Sequence, residues 1–290
     1  MNTILLGGSG FLGPQILSQY PHIISVGRSK PITALRHINC PTVNDLDKAL
    51  AGIEFDKVIM MIGSSNHHVL NSNKLLAIEK NVLPLKIVFN TLRKYKIKKL
   101  ISFTSILLYD RDQMTLPVAE GQLINPYQNE YIFSKYLAEE VASFYSDIPN
   151  IVARLTNIYG ETTALGRPDV VNQLVEGLVF YKRASVQNTL PCRDFIYNND
   201  AADAIVRLLD SSFTGKINLA TGTMHSIGDI VEILEMVSGL KIDRLQGEAR
   251  GHMKFQADIS LLKKVIDWTP KHTLEEGLSK TYKAMEAMYG

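Results

Sequence analysis

The amino-acid sequence predicts an α/β fold, with a doubly wound parallel sheet and a smaller, helix-rich C-terminal lobe. Two observations lead to this prediction: short apolar runs alternate with helix-length segments, and the segment directly after the first run is rich in glycine. The apolar runs, rich in Ile, Val and Leu, are Ile4–Leu6, Ile23–Val26, Val58–Ile62, Leu100–Ser105 and Ile151–Leu155. They lack polar alternation, which is typical of strands buried on both faces. Strand–helix–strand repetition at this spacing indicates a Rossmann-type sheet.

Helical patterns fill the segments between these runs. In the first half of the chain they cover Gly10–Tyr20, Asn81–Tyr95 and Pro126–Tyr145, and in the second half Val170–Tyr181, Asp200–Leu209 and Ser226–Val237. The pairs Ser226/Asp229 and Thr273/Glu276 suit helix N-termini, because a hydroxyl and an acid three residues apart satisfy free N–H groups. After Gly160 the alternation of apolar runs with helical segments becomes less regular. We therefore expect a first domain over 1–160 and mainly a second lobe over 161–290, with the part near 193–220 returning to the first domain.

Composition excludes several classes of protein. With 290 residues, 46% hydrophobic and 21% charged, the chain is near the globular average rather than disordered or collagenous. Thirty-one Lys and Arg against 29 Asp and Glu leave a charge of +2, too balanced for a nucleic-acid partner. Cys40 and Cys192 are too few for a disulfide framework, and no run approaches the ~18 apolar residues of a membrane span. The N-terminus lacks a basic signal-peptide region, so we expect a cytoplasmic protein without a membrane partner.

The glycine-rich segment after the first strand predicts a dinucleotide site. Gly7, Gly10 and Gly13 are spaced G-x-x-G-x-x-G, with Phe11 and Leu12 between the last two. Such a turn lets the backbone approach a pyrophosphate and directs a helix N-terminus at the anion. A glycine-rich turn without a ligand is the alternative. Since a strand precedes the turn and a helix follows it, the sequence favours a dinucleotide-binding domain over 1–160 and a mainly substrate-binding lobe over 161–290.

The end of the second strand predicts which cofactor is bound. An acidic residue at this place would bond the ribose 2′-hydroxyl of NAD, whereas a nearby arginine accommodates the 2′-phosphate of NADP. The chain has Gly27 where the acid is expected, followed by Arg28. This favours NADP(H), with NAD as the alternative if Arg28 is only a surface residue.

Three residues predict proton-transfer chemistry. Tyr131 and Lys135 are four apart in a helical segment and so share one helix face. A nearby ammonium lowers the pKa of a phenol and makes it a usable general acid or base. Ser105 ends a buried strand, at the sheet edge where ligands bind in α/β proteins. An ordinary amphipathic helix is the alternative; the similar pair Tyr95 and Lys99 lies in a basic turn.

These motifs together resemble the extended short-chain dehydrogenase/reductases, the NAD(P)-dependent nucleotide-sugar epimerase/dehydratase/reductase family. The resemblance covers nearly the whole chain. It rests on Gly7-x-x-Gly10-Phe11-x-Gly13, Asn81-Val82, Thr104-Ser105-x-x-x-Tyr109, Tyr131-x-x-x-Lys135, Arg154-x-x-Asn157-Ile158-Tyr159-Gly160, Arg193-Asp194-Phe195-Ile196, Ala257-Asp258-Ile259-Ser260 and Trp268-x-Pro270.

The resemblance implies roles for particular residues. Ser105 would polarise a sugar oxygen, Tyr131 would transfer the proton, and Lys135 would also hold the nicotinamide ribose. In the same way Ile62, Gly63 and Asn81 would belong to the cofactor pocket. Contacts to the diphosphate of a nucleotide-sugar substrate would come from Asn157, Arg193 and Arg250. A salt bridge of Arg193 with Asp194 or Asp200 is the alternative. Helices resembling Asn81–Tyr95 and Gln128–Ser146 form a dimeric bundle in the family, which implies a homodimer.

Departures from the family pattern narrow the reaction. The family's dehydratases resemble one another in carrying Asp-Glu directly after this serine. Here Ile106 and Leu107 follow Ser105, and an apolar pair cannot transfer protons. We therefore expect an NADPH-dependent reductase of a nucleotide-linked keto-sugar, such as a 4-keto-6-deoxyhexose. The first alternative is a nucleotide-sugar 4-epimerase that retains NAD. A non-catalytic dinucleotide sensor is a further alternative. The pair His67-His68 lacks the converging ligands of a metal site, so we expect no metal.

Overall fold

The computed structural model describes residues 2–249 and 252–290. Its strands are β1 Asn2–Leu6, β2 Ile24–Gly27, β3 His37–Asn39, β4 Phe55–Met60, β5 Lys99–Ser105, β6 Asn150–Leu155, β7 Asn157–Tyr159, β8 Ala184–Val186, β9 Cys192–Tyr197, β10 Gly215–Leu219, β11 Met224–Ser226, β12 Ile242–Arg244 and β13 Lys254–Phe255. Its α-helices are α1 Gly13–Gln19, α2 Leu46–Leu50, α3 His67–Leu70, α4 Lys74–Asn81, α5 Leu83–Leu92, α6 Glu130–Phe144, α7 Val170–Tyr181, α8 Asn198–Asp210, α9 Ile227–Ser238, α10 Ser260–Ile266 and α11 Leu274–Tyr289. Short 3₁₀ helices cover Val43–Asp45, Ile106–Leu108 and Pro126–Gln128.

A parallel sheet organises the first part of the chain. Within the described residues it has seven strands in the order β10-β6-β5-β4-β1-β2-β3. The order reverses between β1 and β4, which opens a crevice at their carboxyl ends, where ligands bind in open α/β sheets. Apolar clusters lie on both faces, so the strands are buried from both sides, as their sequences indicate. The predicted α/β fold with a Rossmann-type sheet is confirmed.

Several predicted boundaries are wrong for identifiable reasons. The expected helix Asn81–Tyr95 is two helices, α4 and α5, because Pro84 occupies the first turn of α5 and cannot continue an earlier helix. Strand β4 begins at Phe55 rather than Val58. Its polar start is accommodated because the buried Asp56 pairs with Lys98 at 2.8 Å.

Helix boundaries beside the predicted site also differ from expectation. Helix α1 begins at Gly13 rather than Gly10, because the preceding residues form the glycine turn. The segment predicted as one helix from Pro126 is interrupted at Asn129, whose backbone is extended. The Asn129 side chain accepts a hydrogen bond from the N–H of Ile132 and so caps α6.

The second lobe packs helices against two small sheets. Strand β9 pairs with β7, β11 and β13, and β8 pairs with β12. Helices α7, α9 and α11 contribute most of this lobe's apolar core. Capping boxes start α9 at Ser226 and Asp229 and α11 at Thr273 and Glu276, as their spacing predicts. Strand β10 is an edge strand of the large sheet, and α8 packs on α1.

A buried ionic cluster attaches α6 to the large sheet. Glu139 on α6 and Arg154 on β6 are 0% and 2% exposed, and they form a bidentate pair at 2.8 and 2.9 Å. Lys216 of β10 adds a second cation at 2.9 Å, and Thr104 of β5 donates a hydrogen bond to Glu139 at 2.8 Å. Burial raises the pKa of Glu139, but hydrogen bonds and charge from Arg154 and Lys216 outweigh this and lower it. The carboxylate is therefore ionised and fully bonded.

No helix in the described part of the chain is long and apolar enough to cross a membrane.

Replacing Arg154 by Met should destabilise the protein strongly, because the Glu139 carboxylate would stay buried with only Lys216 as a cation. We expect the free energy of unfolding to fall by roughly 2 to 4 kcal/mol in urea denaturation at pH 7. The matched control is Arg93→Met, since Arg93 forms a similar bidentate pair with Asp147 on the surface. The control should change stability little. Equal losses in both variants would contradict the importance of burial.

Candidate active site

The glycine turn is shaped for close contact with an anion. Gly7 has a φ of +78°, which favours glycine, and a Cβ there would lie 3.0 Å from the Met61 carbonyl oxygen. A Cβ on Gly13 would lie 2.0 Å from the Gly8 carbonyl oxygen, so α1 can pack this closely only with glycine. Around Gly10, by contrast, the nearest heavy atom to such a Cβ is 4.0 Å away. The backbone is thus exposed where a dinucleotide's pyrophosphate would need it, and the turn fits that group.

Phe11 and Leu12 have different surroundings within this turn. Leu12 is buried in the apolar cluster around β1, so only its backbone is available to a ligand. The Phe11 ring lies 3.6 Å from the guanidinium carbon of Arg167. Arg167 belongs to the second lobe and bonds Asp169, the N-cap of α7, at 2.9 Å. This cation–π contact, which no local sequence pattern predicts, joins the glycine turn to the second lobe.

The carboxyl end of β2 contains the two residues that predict cofactor choice. Gly27 packs beside the glycine turn, with its ideal Cβ position 3.8 Å from the Gly7 nitrogen. Arg28 is exposed directly after the strand. A guanidinium at this point of the crevice could bond a 2′-phosphate.

Asn81 links the loop after β4 to helix α6 through hydrogen bonds. Its side-chain oxygen accepts a hydrogen bond from the Ser64 N–H at 2.6 Å, and its amide nitrogen donates to Ser134 of α6 at 3.0 Å. Gly63 has a φ of +132°, and a Cβ there would lie 2.9 Å from the Asn81 oxygen. Ile62 is half-buried next to it. Asn81 thus shapes the predicted cofactor loop, with both ends of its amide bonded inside the protein.

Ser105, Tyr131 and Lys135 come together at one edge of the sheet. Ser105 ends β5, and its hydroxyl accepts a hydrogen bond from the Leu107 N–H at 3.2 Å. Tyr131 lies in the first turn of α6 and is 8% exposed. The Lys135 ammonium is 5.6 Å from the centre of the Tyr131 ring.

Burial dominates the protonation of this group. It raises the pKa of Tyr131 to about 12, an effect that the Ser105 side chain partly offsets. Burial also lowers the pKa of Lys135 to about 8. The expectation that Lys135 lowers the pKa of Tyr131 is not met in this structure: burial raises that pKa, and the group that lowers it is Ser105. At neutral pH, Tyr131 is a neutral proton donor and Lys135 a cation.

A cleft of about 1040 Å³ runs from this triad into the second lobe. Asn157 and Arg193, both predicted from the family pattern, line it from the paired strands β7 and β9. Asn157 donates a hydrogen bond to the Asp194 carbonyl oxygen at 3.0 Å. The Asp194 carboxylate accepts bonds from Thr221 and Gly222, and burial raises its pKa to about 6.

Some residues of the cleft fall outside the sequence prediction. Arg111, His67 and His252 line it. The His67 ring lies 6.2 Å from the Tyr131 ring, so the histidine pair noted in the sequence is beside the triad. No local sequence pattern predicts such a position for these residues. Arg250, predicted to contact substrate, lies outside the described residues.

Comparison with known proteins identifies the family. The model of the NAD dependent epimerase/dehydratase family matches residues 3–220. The chain belongs to this family. The resemblance seen in the motifs is therefore confirmed: the chain is an enzyme of the NAD dependent epimerase/dehydratase family.

Proteins similar to this chain are named for different activities. A UDP-glucuronate 4-epimerase from Thermodesulfobacterium geofontis is 26% identical over 217 residues, covering 72% of this chain and 66% of that protein. The UDP-glucuronic acid decarboxylase 3 of Arabidopsis thaliana is 22% identical over 301 residues, covering 96% and 87%. The solved structure of a UDP-glucose 4-epimerase from Thermotoga maritima, with UDP-glucose, has a TM-score of 0.90 at 19% identity and covers 100% of both chains. This structural likeness establishes the shared fold.

Lys135 should lower the stability of the protein without added ligands. Below pH 8 both the folded and unfolded states hold the lysine proton, so folding carries the full cost of burying the charge. That cost disappears as pH rises toward ~10.4, the pKa of an unfolded lysine. Lys135→Met should therefore raise the free energy of unfolding at pH 7 by on the order of 1 to 3 kcal/mol, and by less at pH 10.

Urea denaturation at the two pH values checks this. The control is Lys283→Met, which removes an exposed lysine from α11 and should have little effect at either pH. A loss of stability in Lys135→Met at pH 7 would contradict the burial argument.

Proposed function

We propose that this protein is a nucleotide-sugar 4-epimerase, which removes hydrogen from C4 of a UDP-hexose and returns it to the opposite face of the sugar ring. The observation that carries the proposal is the convergence of Ser105, Tyr131 and Lys135 on a two-lobed cleft of about 1040 Å³. The UDP-sugar epimerases among its relatives add support. A cleft of this size exceeds the usual volume of a small-molecule pocket, as a bound nucleotide sugar requires.

In this proposal a bound nicotinamide cofactor supplies the capacity to accept and return a hydride. To oxidise the sugar, Tyr131 first loses its own proton to solvent; as the phenolate it takes the proton of the sugar hydroxyl, and it gives that proton back when the sugar is reduced. The Lys135 ammonium, protonated below its pKa of about 8, favours the phenolate while the proton is away. Ser105 donates a hydrogen bond to the sugar oxygen and holds it opposite Tyr131. Burial excludes water from the phenol, which strengthens each of these interactions.

The substrate's diphosphate is assigned to the second-lobe wall of the cleft. Arg193 suits this role, because a guanidinium bonds phosphate oxygens in pairs, and its Nε is already oriented by the His252 carbonyl at 2.8 Å. Asn157 lies beside it on the same wall. The homodimer implied by the family resemblance stays a prediction.

A second candidate is an NADPH-dependent reductase of a nucleotide-linked keto-sugar. Gly27 and Arg28 favour it, because a reductase that consumes NADPH must recognise the 2′-phosphate. The neutral phenol of Tyr131, whose pKa is raised to about 12 by burial, also suits proton donation to a ketone. Both candidates use the same triad and differ in whether the cofactor is released after each turnover.

One assay separates the candidates. The purified protein is incubated with UDP-glucose, UDP-N-acetylglucosamine or UDP-glucuronate, and the C4 epimers are separated by chromatography while the absorbance of reduced nicotinamide is followed. The epimerase should interconvert one pair without net change in NAD(P)H. Stoichiometric loss of NADPH with a nucleotide-linked 4-keto-6-deoxyhexose, and no epimer formation, would replace it by the reductase.

Tyr131→Phe should lower kcat by about 10²- to 10⁴-fold, because it removes the group that moves the proton. Binding of UDP should stay within about 3-fold of the wild type, since a phenol proton contributes to chemistry rather than to uniform binding. The control is Tyr95→Phe, which changes the chain's other Tyr-x-x-x-Lys pattern, at a half-buried tyrosine packed on Phe55. Full turnover in Tyr131→Phe would refute the assignment.

Arg28→Ala should weaken NADPH binding by about 10- to 100-fold and leave NADH binding unchanged, because only NADPH offers the 2′-phosphate. Fluorescence titration measures both dissociation constants. Arg36→Ala removes another exposed arginine of the same domain and should change neither. An unchanged ratio of NADPH to NADH affinity in Arg28→Ala would mean that Arg28 is a surface residue.

A further inference from the structure

Arg167 connects the second lobe to the glycine turn through a contact that is largely shielded from water. Its guanidinium carbon lies 3.6 Å from the centre of the Phe11 ring, well inside the ~6 Å limit of a cation–π contact. Its Nε donates a hydrogen bond to the Asp169 carboxylate at 2.9 Å, and the side chains of this ion pair are only 16% and 22% exposed. Such shielding strengthens the attraction between the cation and the aromatic face.

The segment that contains Arg167 is held by both lobes. We call residues 161–169 the strap. At its start, the Glu161 carbonyl oxygen accepts a hydrogen bond from Gln15 of α1 at 3.2 Å. Near its end, the Gly166 N–H donates to the Glu176 carboxylate of α7 at 2.9 and 3.0 Å. The strap therefore joins the first helix of the first domain to the first helix of the second lobe.

The place where the strap meets the glycine turn lies on the path expected for a dinucleotide. A dinucleotide bound to a sheet of this kind has its pyrophosphate at the glycine turn and extends along the carboxyl ends of the strands. Here that path leads from Arg28 after β2 to Ser105 at the end of β5, and β1 with its turn lies between these two strands. On its other side, Arg167 lines the large cleft. The bridge from Arg167 to Phe11 therefore crosses the middle of the cofactor path.

We propose that the strap closes over the dinucleotide cofactor and that the contact between Arg167 and Phe11 slows the release of that cofactor. The proposal rests on the proposed function and deepens it. A 4-epimerase must keep its reduced cofactor between removing the hydride and returning it to the same sugar. A reductase must instead release its oxidised cofactor after every turnover. A contact that slows release meets the requirement of the epimerase, and it assigns a role to Arg167, which belongs to none of the sequence motifs.

Stopped-flow fluorescence on the full-length protein tests this. It measures how fast NADH or NADPH, whichever binds the wild type more tightly, is displaced by an excess of its oxidised form. Phe11→Leu removes the aromatic face but keeps an apolar side chain and the pair of Arg167 with Asp169. It should raise the dissociation rate constant by about 3- to 30-fold, the range expected for the loss of a partly shielded cation–π contact. Arg167→Met should raise it at least as much.

The double variant distinguishes one shared contact from two separate effects on structure. If Phe11 and Arg167 act through their contact, Phe11→Leu should not accelerate release further in a protein that already has Arg167→Met. The control is Arg183→Met, which removes an exposed arginine two residues beyond α7 and should leave the rate constant unchanged.

Two results would overturn the inference alone: wild-type dissociation in both single variants, or effects that multiply in the double variant. Failure of the wild type to bind either NADH or NADPH would overturn the proposed function as well.

Discussion

The ion pair between Glu139 and Arg154 is the interaction on which the site depends. Tyr131 and Lys135 lie on α6 and face the carboxyl ends of β5 and β6. Glu139 is one helical turn beyond Lys135, and its carboxylate bonds Arg154 of β6 and Thr104 of β5. Because the pair is removed from water, it is directional and costly to break. The helix therefore meets the sheet in one register, which brings the phenol opposite Ser105.

Burial shifts the pKa values of the titratable groups in the cleft and also costs folding free energy. It raises the pKa of Tyr131 to about 12, and it lowers that of Lys135 to about 8 and that of His252 to about 4. Each of these groups would be more stable in water, and the folded protein holds them at a free-energy cost that other contacts offset. A ligand that enters the cleft can supply interactions that water supplies to these groups in the unfolded chain. The same low-dielectric surroundings make those interactions strong and specific.

Much of the fold follows from local sequence, and some of the errors come from tertiary contacts. The apolar runs locate the central strands, because strands covered on both faces need no polar alternation. The start of β4 is missed because Asp56 and Lys57 look like loop residues until Lys98 and Asp210 neutralise them. In the site, spacing alone predicts Tyr131 with Lys135, since four residues make one helical turn. The pKa of that tyrosine is not predictable in this way, because desolvation depends on every neighbour.

Sequence alone determined the glycine turn, the Tyr131–Lys135 pair and the α/β fold class, because each depends on neighbours within a few residues along the chain. Tertiary structure alone decided that Arg111 and His252 face one cleft with Arg193. These residues are far apart in sequence, and Arg111 and His252 belong to no local pattern. They meet because β13 pairs with β9 and because Tyr109, two residues before Arg111, stacks on Phe255 of β13. Burial and electric field are sums over such distant contacts, so they exist only once the chain is folded.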